Sequence, residues 1–408
     1  MSAVSSSVSS RQPSRRASPV TVPATNEKQT FKAADAPVEF PDIKTIRDAI
    51  PAHCFESSAV HSLAYVVRDY AMAFALGWAA LTYIPSFENT LLRTAAWIAY
   101  GYAQGLVLTG VWILGHECGH GAFSPYPLLN DVAGWVLHSS LLVPYFSWKI
   151  SHHRHHRFTG HMEKDMVFVP RTTPTSEMKR GWATLWLDPE VVEDAPLAQL
   201  LQLIGHQVAG WQLYLLFNIS AGDGSKQRDE SKWWRLSHFD PTSAVFRPSE
   251  AVPVFLSDVG LVLMAGVLYW ASTYVGWITV ILMYIIPYMW VHHWLIAITY
   301  LHHNHPEVHH YDAENWTYVK GALATVDRDF GWVGRHLFHN IIETHVVHHL
   351  FPRIPFYKQD EATAAIRRCV GDLYHQETRS FLGQLWNTWN KCKYVVPDPN
   401  IPGAMKWA

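Results

Sequence analysis

Three short stretches of this chain carry residues able to hold transition metals. They read His116-Glu117-Cys118-Gly119-His120, Ser151-His152-His153-Arg154-His155-His156 and Thr344-His345-Val346-Val347-His348-His349. With His153 set aside, they hold eight histidines in two spacings. Residues i and i+4 of a helix share a face, and so do i, i+3 and i+4. His116 and His120 are therefore expected to point one way, as are His152, His155 and His156, and likewise His345, His348 and His349. Neutral imidazole is the commonest nitrogen ligand of zinc, copper, iron and nickel. A metal ion takes roughly four to six donors, so eight histidines are too many for one ion and suit two. The first stretch also fits HExxH, in which two histidines bind zinc and the glutamate is the general base of a protease. That reading leaves six clustered histidines unused, and a hydrolytic zinc pair would normally recruit bridging carboxylates. A histidine-rich pair with open positions for oxygen suits iron, although spacing alone does not name the metal.

The elements that must position these residues are apolar. Of 408 residues 16% are charged, below the ~25% of typical soluble chains, and there are 19 Trp, 18 Tyr and 18 Phe. Few charges with many Trp and Tyr suit a membrane protein with aromatic rings at the headgroup level. A net charge of -2 gives no bias toward nucleic acid. The four cysteines, Cys54, Cys118, Cys369 and Cys392, form no CxxC pair, which argues against a disulfide framework and fits a reducing compartment.

Residues 1–40 are rich in Ser, Pro, Ala and Thr and read as a disordered tail without a secretory signal. Next, Ile43, Ile46 and Ile50 share one face of a short helix capped by Asp42 and stopped by Pro51. It would lie either on the membrane surface or on the protein's own cap. Tyr70–Ile84 is apolar and extends back over Arg68-Asp69 toward Leu63. Thr94–Gly115 runs 22 positions without a charge, about 33 Å at 1.5 Å per residue, enough to cross the hydrocarbon core. From Val259 to Pro306 there is no Asp, Glu, Lys or Arg. That length predicts two spans, roughly Val259–Tyr274 and Trp277–Tyr300, turning at Gly276, with a kink at Pro287.

The expected fold is thus an all-α integral membrane protein: four transmembrane helices in two hairpins under a histidine-rich di-metal cap. The connector Pro85–Arg93 has a single basic residue and the one at Gly276 has none. The positive-inside rule then puts both termini and all three histidine stretches in the cytosol. Val132–Phe146 reads as a re-entrant or interfacial piece, and Leu197–Phe217, within an insert spanning 157–252, as an interfacial helix. Residues 41–390 are expected to form one membrane domain and 391–408 a C-terminal tail.

The three histidine stretches together resemble the membrane-bound fatty acid desaturases, most of all the fungal and plant oleate delta-12 branch. Trp148-Lys-Ile-Ser-His152, Asp165-Met-Val-Phe-Val-Pro170, Ile298-Thr-Tyr-Leu301, Gly321-Ala-Leu-Ala-Thr-Val-Asp-Arg-Asp329 and His345 through Pro352 extend the likeness over roughly residues 40–390. The resemblance implies two iron ions in a non-haem di-iron centre held by the eight histidines and a ninth, His303, with His302 and His305 as runners-up. It implies dioxygen as oxidant and electrons from NADH through cytochrome b5 and its reductase. No His-Pro-Gly-Gly haem string is present, so cytochrome b5 would be a separate partner. The implied substrate is an oleoyl chain on a phospholipid, converted to linoleoyl, at the endoplasmic reticulum membrane. Glu117, Asp165, Asp327 and Asp329 are candidates to orient ligand histidines. Omega-3 (delta-15) desaturation or acyl hydroxylation remain alternatives within the family, and the oligomeric state, a homodimer included, is left open.

Overall fold

The computed structural model describes residues 39–172 and 195–408. The tail expected over residues 1–40 falls almost wholly outside them, as does residue range 173–194 of the insert. Asp42 caps the first helix, α1 (Ile43–Asp48), by accepting from the backbone of Lys44 and Thr45. Ile46 and Ile50 are buried among Val346, Val347, Leu350 and Ile366. Of the two sequence readings, the protein's own cap is therefore what covers this face.

Helices α2 (Ala59–Tyr83) and α3 (Thr90–His120) follow as an antiparallel pair joined through Pro85. α4 (Pro127–Ser139) and α5 (Tyr145–Phe158) fold back beside the end of α3. α6 (Pro196–Phe217) buries Leu203, Trp211 and Tyr214 and leaves Leu197, Leu201 and Ile204 exposed. α7 (Ala251–Val275) turns at Gly276, whose φ of +77° is left-handed and suits a residue without Cβ, into α8 (Trp277–His303).

By length and apolar composition α3, α7 and α8 are long enough to cross a membrane. α2, the fourth expected span, has 25 residues but carries Arg68 and Asp69 and does not share that composition. Pro287 lacks the N–H that would bond the carbonyl of Met283. Here a π-helical turn, Ile281–Ile285, precedes the proline, and the Tyr100 hydroxyl donates to the freed Met283 carbonyl at 3.3 Å. At the site of the expected kink, local rewinding and a cross-helix hydrogen bond satisfy the backbone. α3 and α8 meet closely because Gly101 and Gly105 present no side chain. A Cβ on Gly105 would lie 2.3 Å from Trp290 Cβ, and one on Gly101 would lie 2.6 Å from Ile286 Cγ2.

Past α8 the chain builds a cap. β1 (His310–Tyr311), α9 (Tyr318–Leu323), β2 (Val326–Arg328), α10 (Gly331–His336), α11 (His345–Leu350) and α12 (Gln359–Val370) come first. β3 (His375–Glu377), α13 (Phe381–Lys391), β4 (Val395–Pro397) and β5 (Ala404–Trp407) complete it. β2 and β3 pair in parallel, and β5 lies antiparallel between β1 and β4, with Tyr311 opposite Ala404. The expectation of an all-α chain is corrected to a mostly helical one, because these short strands satisfy the backbone of loops that must run back over the helix ends. β4 and β5 lie within the stretch read from sequence as a C-terminal tail.

Candidate metal centre

α3 ends in His116 and His120, whose Nε2 atoms are 3.2 Å apart. On α5, His152 and His156 bring their Nε2 atoms to 3.1 Å. His348, on α11, places its ring centroid 4.6 Å from that of His116 and 4.7 Å from those of His120 and His156. One nitrogen from each of these five residues lies within 4.8 Å of the others. A second group sits alongside. His155, His303 and His349 offer nitrogens within the same limit, and His345 Nε2 lies 3.3 Å from His303 Nε2. His156 and His349 stack face to face across the two groups at 4.0 Å.

The expectation that each HxxHH run presents one common face is corrected here. Residue i+4 sits about 40° from i around a helix and residue i+3 about 60° the other way, at 3.6 residues per turn. His152 and His156 therefore join the first group while His155 leans into the second. α11 repeats the division, with His345 and His349 in one group and His348 in the other.

Hydrogen bonds aim the rings. The Asp165 carboxylate accepts from His155 Nδ1 at 2.7 Å and from the backbone of Gly160 and Val167, which turns His155 Nε2 toward His303 Nε2 at 3.2 Å. Asp327 accepts from Val346 N at 2.7 Å and from the Tyr374 hydroxyl, pinning the start of α11. Thr344 Oγ1 bonds the Asn340 carbonyl and Gln359 Oε1, both at 2.7 Å. Glu117 accepts from Phe356 N at 3.1 Å, and its other oxygen is 3.6 Å from His116 Nδ1. Asp329 instead accepts from Gly331 N and Arg335, away from the rings. His302 bonds the Val326 carbonyl through Nδ1 and stacks on His345, and His305 faces Glu377, so of the three candidates on this turn it is His303 that reaches the groups. His153 is exposed on the outer face of α5.

Burial and the neighbouring rings hold His152, His156, His345, His348 and His349 well below the ordinary imidazole value of 6.5. They are neutral near pH 7, with lone pairs free to ligate. Both nitrogens of His348 and Nε2 of His349 are buried without a hydrogen-bond partner. Unsatisfied buried nitrogens are costly unless something binds them. Converging neutral imidazoles with orphaned nitrogens, and no carboxylate in either group among the described residues, fit a pair of transition-metal ions with iron-compatible ligands.

An apolar cavity reaches the rings. Trp112, Trp211, Tyr214, Leu295, Ile298 and Ile341 line one part of it, and His116, His152, His155, His303 and His345 close the other. Two supporting contacts were not expected from sequence. Asp69 and His339 form a fully buried pair at 2.7 Å, and the only hint is the Arg68-Asp69 pair next to an apolar run. Arg328 is wholly buried and donates to the Leu301 and Asn304 carbonyls that flank His303. Nothing in its local pattern marks it apart from lying within the Asp327-Arg328-Asp329 run.

A family model described as fatty acid desaturase matches residues 94–380, and one described as a domain of unknown function matches residues 3–80. The chain is 42% identical over 391 residues to an oleate hydroxylase of Claviceps purpurea, covering 92% of this chain and 82% of that protein. It is 40% identical over 387 residues to a delta(12) fatty acid desaturase of Mortierella isabellina, covering 93% and 94% respectively. It is 41% identical over 356 residues to a delta(12)-oleate desaturase of the plant Trichosanthes kirilowii, covering 87% and 91%. With the histidine geometry these matches agree on one assignment: the chain belongs to the fatty acid desaturase family and is an oxidoreductase.

Proposed function

We propose that this protein is a delta-12 acyl-lipid desaturase that converts oleoyl to linoleoyl chains. The observation that carries the reading is the apolar cavity that ends on five clustered histidines, a slot for an unactivated hydrocarbon against a site suited to oxidation chemistry. In this reading His116, His120, His152, His156 and His348 hold one iron, and His155, His303, His345 and His349 hold the other. The iron pair supplies activation of dioxygen. The overall reaction balances as one CH2–CH2 unit, O2, two electrons and two protons giving one cis CH=CH unit and two waters.

The chain's own residues do the rest. Trp112, Trp211 and Ile298 exclude water and hold the methylenes by apolar contact. Asp165 fixes the tautomer and orientation of His155, and Arg328 holds the backbone on both sides of His303. The electrons come from NADH through cytochrome b5 and its reductase. α2, α3, α7 and α8 are read as spanning the endoplasmic reticulum membrane, with the histidine cap in the cytosol. Exposed Val67, Phe74 and Trp78 on α2 and Val262 and Trp270 on α7 support that placement, as does the scarcity of Lys and Arg in the connectors at Pro85–Arg93 and Gly276.

The relative in Claviceps purpurea supports a second reading, oleate hydroxylation, at the same site. Acyl-chain profiling by gas chromatography–mass spectrometry, in a yeast that makes only saturated and monounsaturated lipids, separates the two. New 9,12-octadecadienoate supports the desaturase. A hydroxylated C18 chain replaces that reading with the hydroxylase. An unchanged profile with the protein present in membranes overturns both.

A further inference from the structure

The cavity at the histidines does not end at its apolar wall. Phe168, His206, Ile219, Ser220 and Tyr300 line it and also line a second cavity of about 490 Å³, within the roughly 300–1,000 Å³ range of small-molecule sites. The two spaces meet at a neck. There the His206 ring packs between Tyr300 and Trp389, with centroids 5.3 Å from each. Chemistry changes across the neck. Inside are indoles, aliphatic groups and the clustered imidazoles. Outside are Arg171, Lys393, Gln199 and Gln202, with no Asp or Glu among the described lining residues.

The outer space is built rather than incidental. Val395 N donates to the Arg171 carbonyl at 2.8 Å, which brings the strand just after Lys393 against Arg171. Val169 N donates to the Ser220 carbonyl at 2.8 Å, and both residues line the cavity. A further cavity, beside His120, mixes signs: Arg47, Lys149 and Arg353 line it together with Glu56 and Asp131, and Asp131 already holds Lys149 at 2.5 Å.

We propose that the outer cavity binds the phosphate of the acyl carrier, with Arg171 and Lys393 as its cationic contacts. The inference rests on the acyl-substrate reading above. A chain whose reacting carbons sit at the histidines can send one end through the neck, where the two cavities share their lining. Leaving the methyl end in a polar space would forfeit its burial, whereas the carrier end gains charge-assisted hydrogen bonds there. The guanidinium fork of Arg171 can meet two phosphate oxygens at once, and Lys393 adds a point charge. Arg171 and Lys393 also interact with other groups of the chain, so the phosphate competes for them and the expected gain is moderate. A phospholipid headgroup and coenzyme A both offer this chemistry.

The test uses the full chain, iron-loaded and in detergent. Dissociation constants are read by competition against a fluorescent C18 acyl probe without phosphate. The competitors are 1-oleoyl-lysophosphatidylcholine, oleoyl-coenzyme A and methyl oleate. Arg171→Gln together with Lys393→Gln should weaken at least one phosphate-bearing competitor about tenfold and leave methyl oleate within about twofold, the scale of one charge-assisted contact. Loss confined to the lysophosphatidylcholine competitor assigns the site to a lipid headgroup, and loss confined to the thioester assigns it to coenzyme A. Lys393→Arg, which keeps the charge, should bind as the unmodified protein does and shows that the fold survives change at this position. Equal affinity of the double variant for every competitor overturns the proposal, and so does an equal loss on methyl oleate. Binding is read without turnover, so a chain that binds in this pattern but makes no diene refutes the delta-12 reading alone.

Discussion

Asp165 accepts a hydrogen bond from Nδ1 of His155 at 2.7 Å, with both side chains almost wholly buried. The carboxylate also takes the backbone N–H of Val167, so a turn ten residues beyond His155 fixes which ring nitrogen faces His303. Asp165→Asn keeps the shape and loses the charge. Activity is expected to fall by about 10- to 100-fold, the usual cost of removing such a partner. Metal analysis of the purified variant should show a matching loss of iron. Full iron occupancy with unchanged turnover would show that the carboxylate has no positioning role.

Arg328 joins the end of α8 to the cap. Its guanidinium bonds the Leu301 carbonyl twice, the Asn304 carbonyl and Gln384 Oε1, and burial pulls its pKa down to about 10. Arg328→Met removes the charge but strands three buried acceptors, each worth about 1–3 kcal/mol. A loss of roughly 3 kcal/mol or more is expected, seen as a lower unfolding midpoint and as iron lost by the half of the site holding His303. A variant as stable as the parent would mean that water replaces the guanidinium.

Metal-free protein should be least tolerant of acid. The buried His152, His156, His345, His348 and His349 favour the neutral form in the fold. As pH falls through 6.5 the unfolded chain takes up protons on them and the folded chain does not. Stability then drops by up to about 1.4 kcal/mol per pH unit for each ring. Asp327 and Glu343 act in the opposite sense. Burial pushes both up to about 7, so their contribution is full below about pH 4 and is lost as pH rises to 7. Five rings outweigh two carboxyls between about pH 6.5 and 4.5. Thermal unfolding of chelator-treated protein should therefore show a lower midpoint near pH 5 than near pH 7, and a higher one would contradict the burial of these rings.

Gly105→Ala tests the helix contact that carries His303 to His116. The new methyl would meet Trp290 Cβ at 2.3 Å and the Pro287 carbonyl at 3.2 Å, and overpacking of this kind costs about 1–3 kcal/mol. Gly266→Ala on α7 meets nothing within 4 Å and serves as the control. Membrane-inserted protein that melts earlier and loses iron for the first variant only is the expected result.

Much of the site was legible because helix geometry is local. His116 with His120, and His152 with His156, are neighbours by spacing alone, and α3 and the α7–α8 hairpin follow from uncharged runs whose length matches a bilayer. Arg328, by contrast, looks like any charged residue in sequence. It is buried only because β2 pairs with β3 and the end of α8 brings unsatisfied carbonyls to it. Asp69 and His339, 270 positions apart, could be matched only after α2 had packed under the cap.

The sequence by itself therefore determined how many histidines there are, which of them stand an i, i+4 step apart, and that an uncharged run leads into the first stretch. Only the tertiary structure decided how they divide. His155 parts from His156, and His348 from His349, because each helix is wedged between two groups and adjacent positions on it diverge by about 100°. Which group each ring joins depends on what the neighbouring helix presents there, and no local spacing contains that.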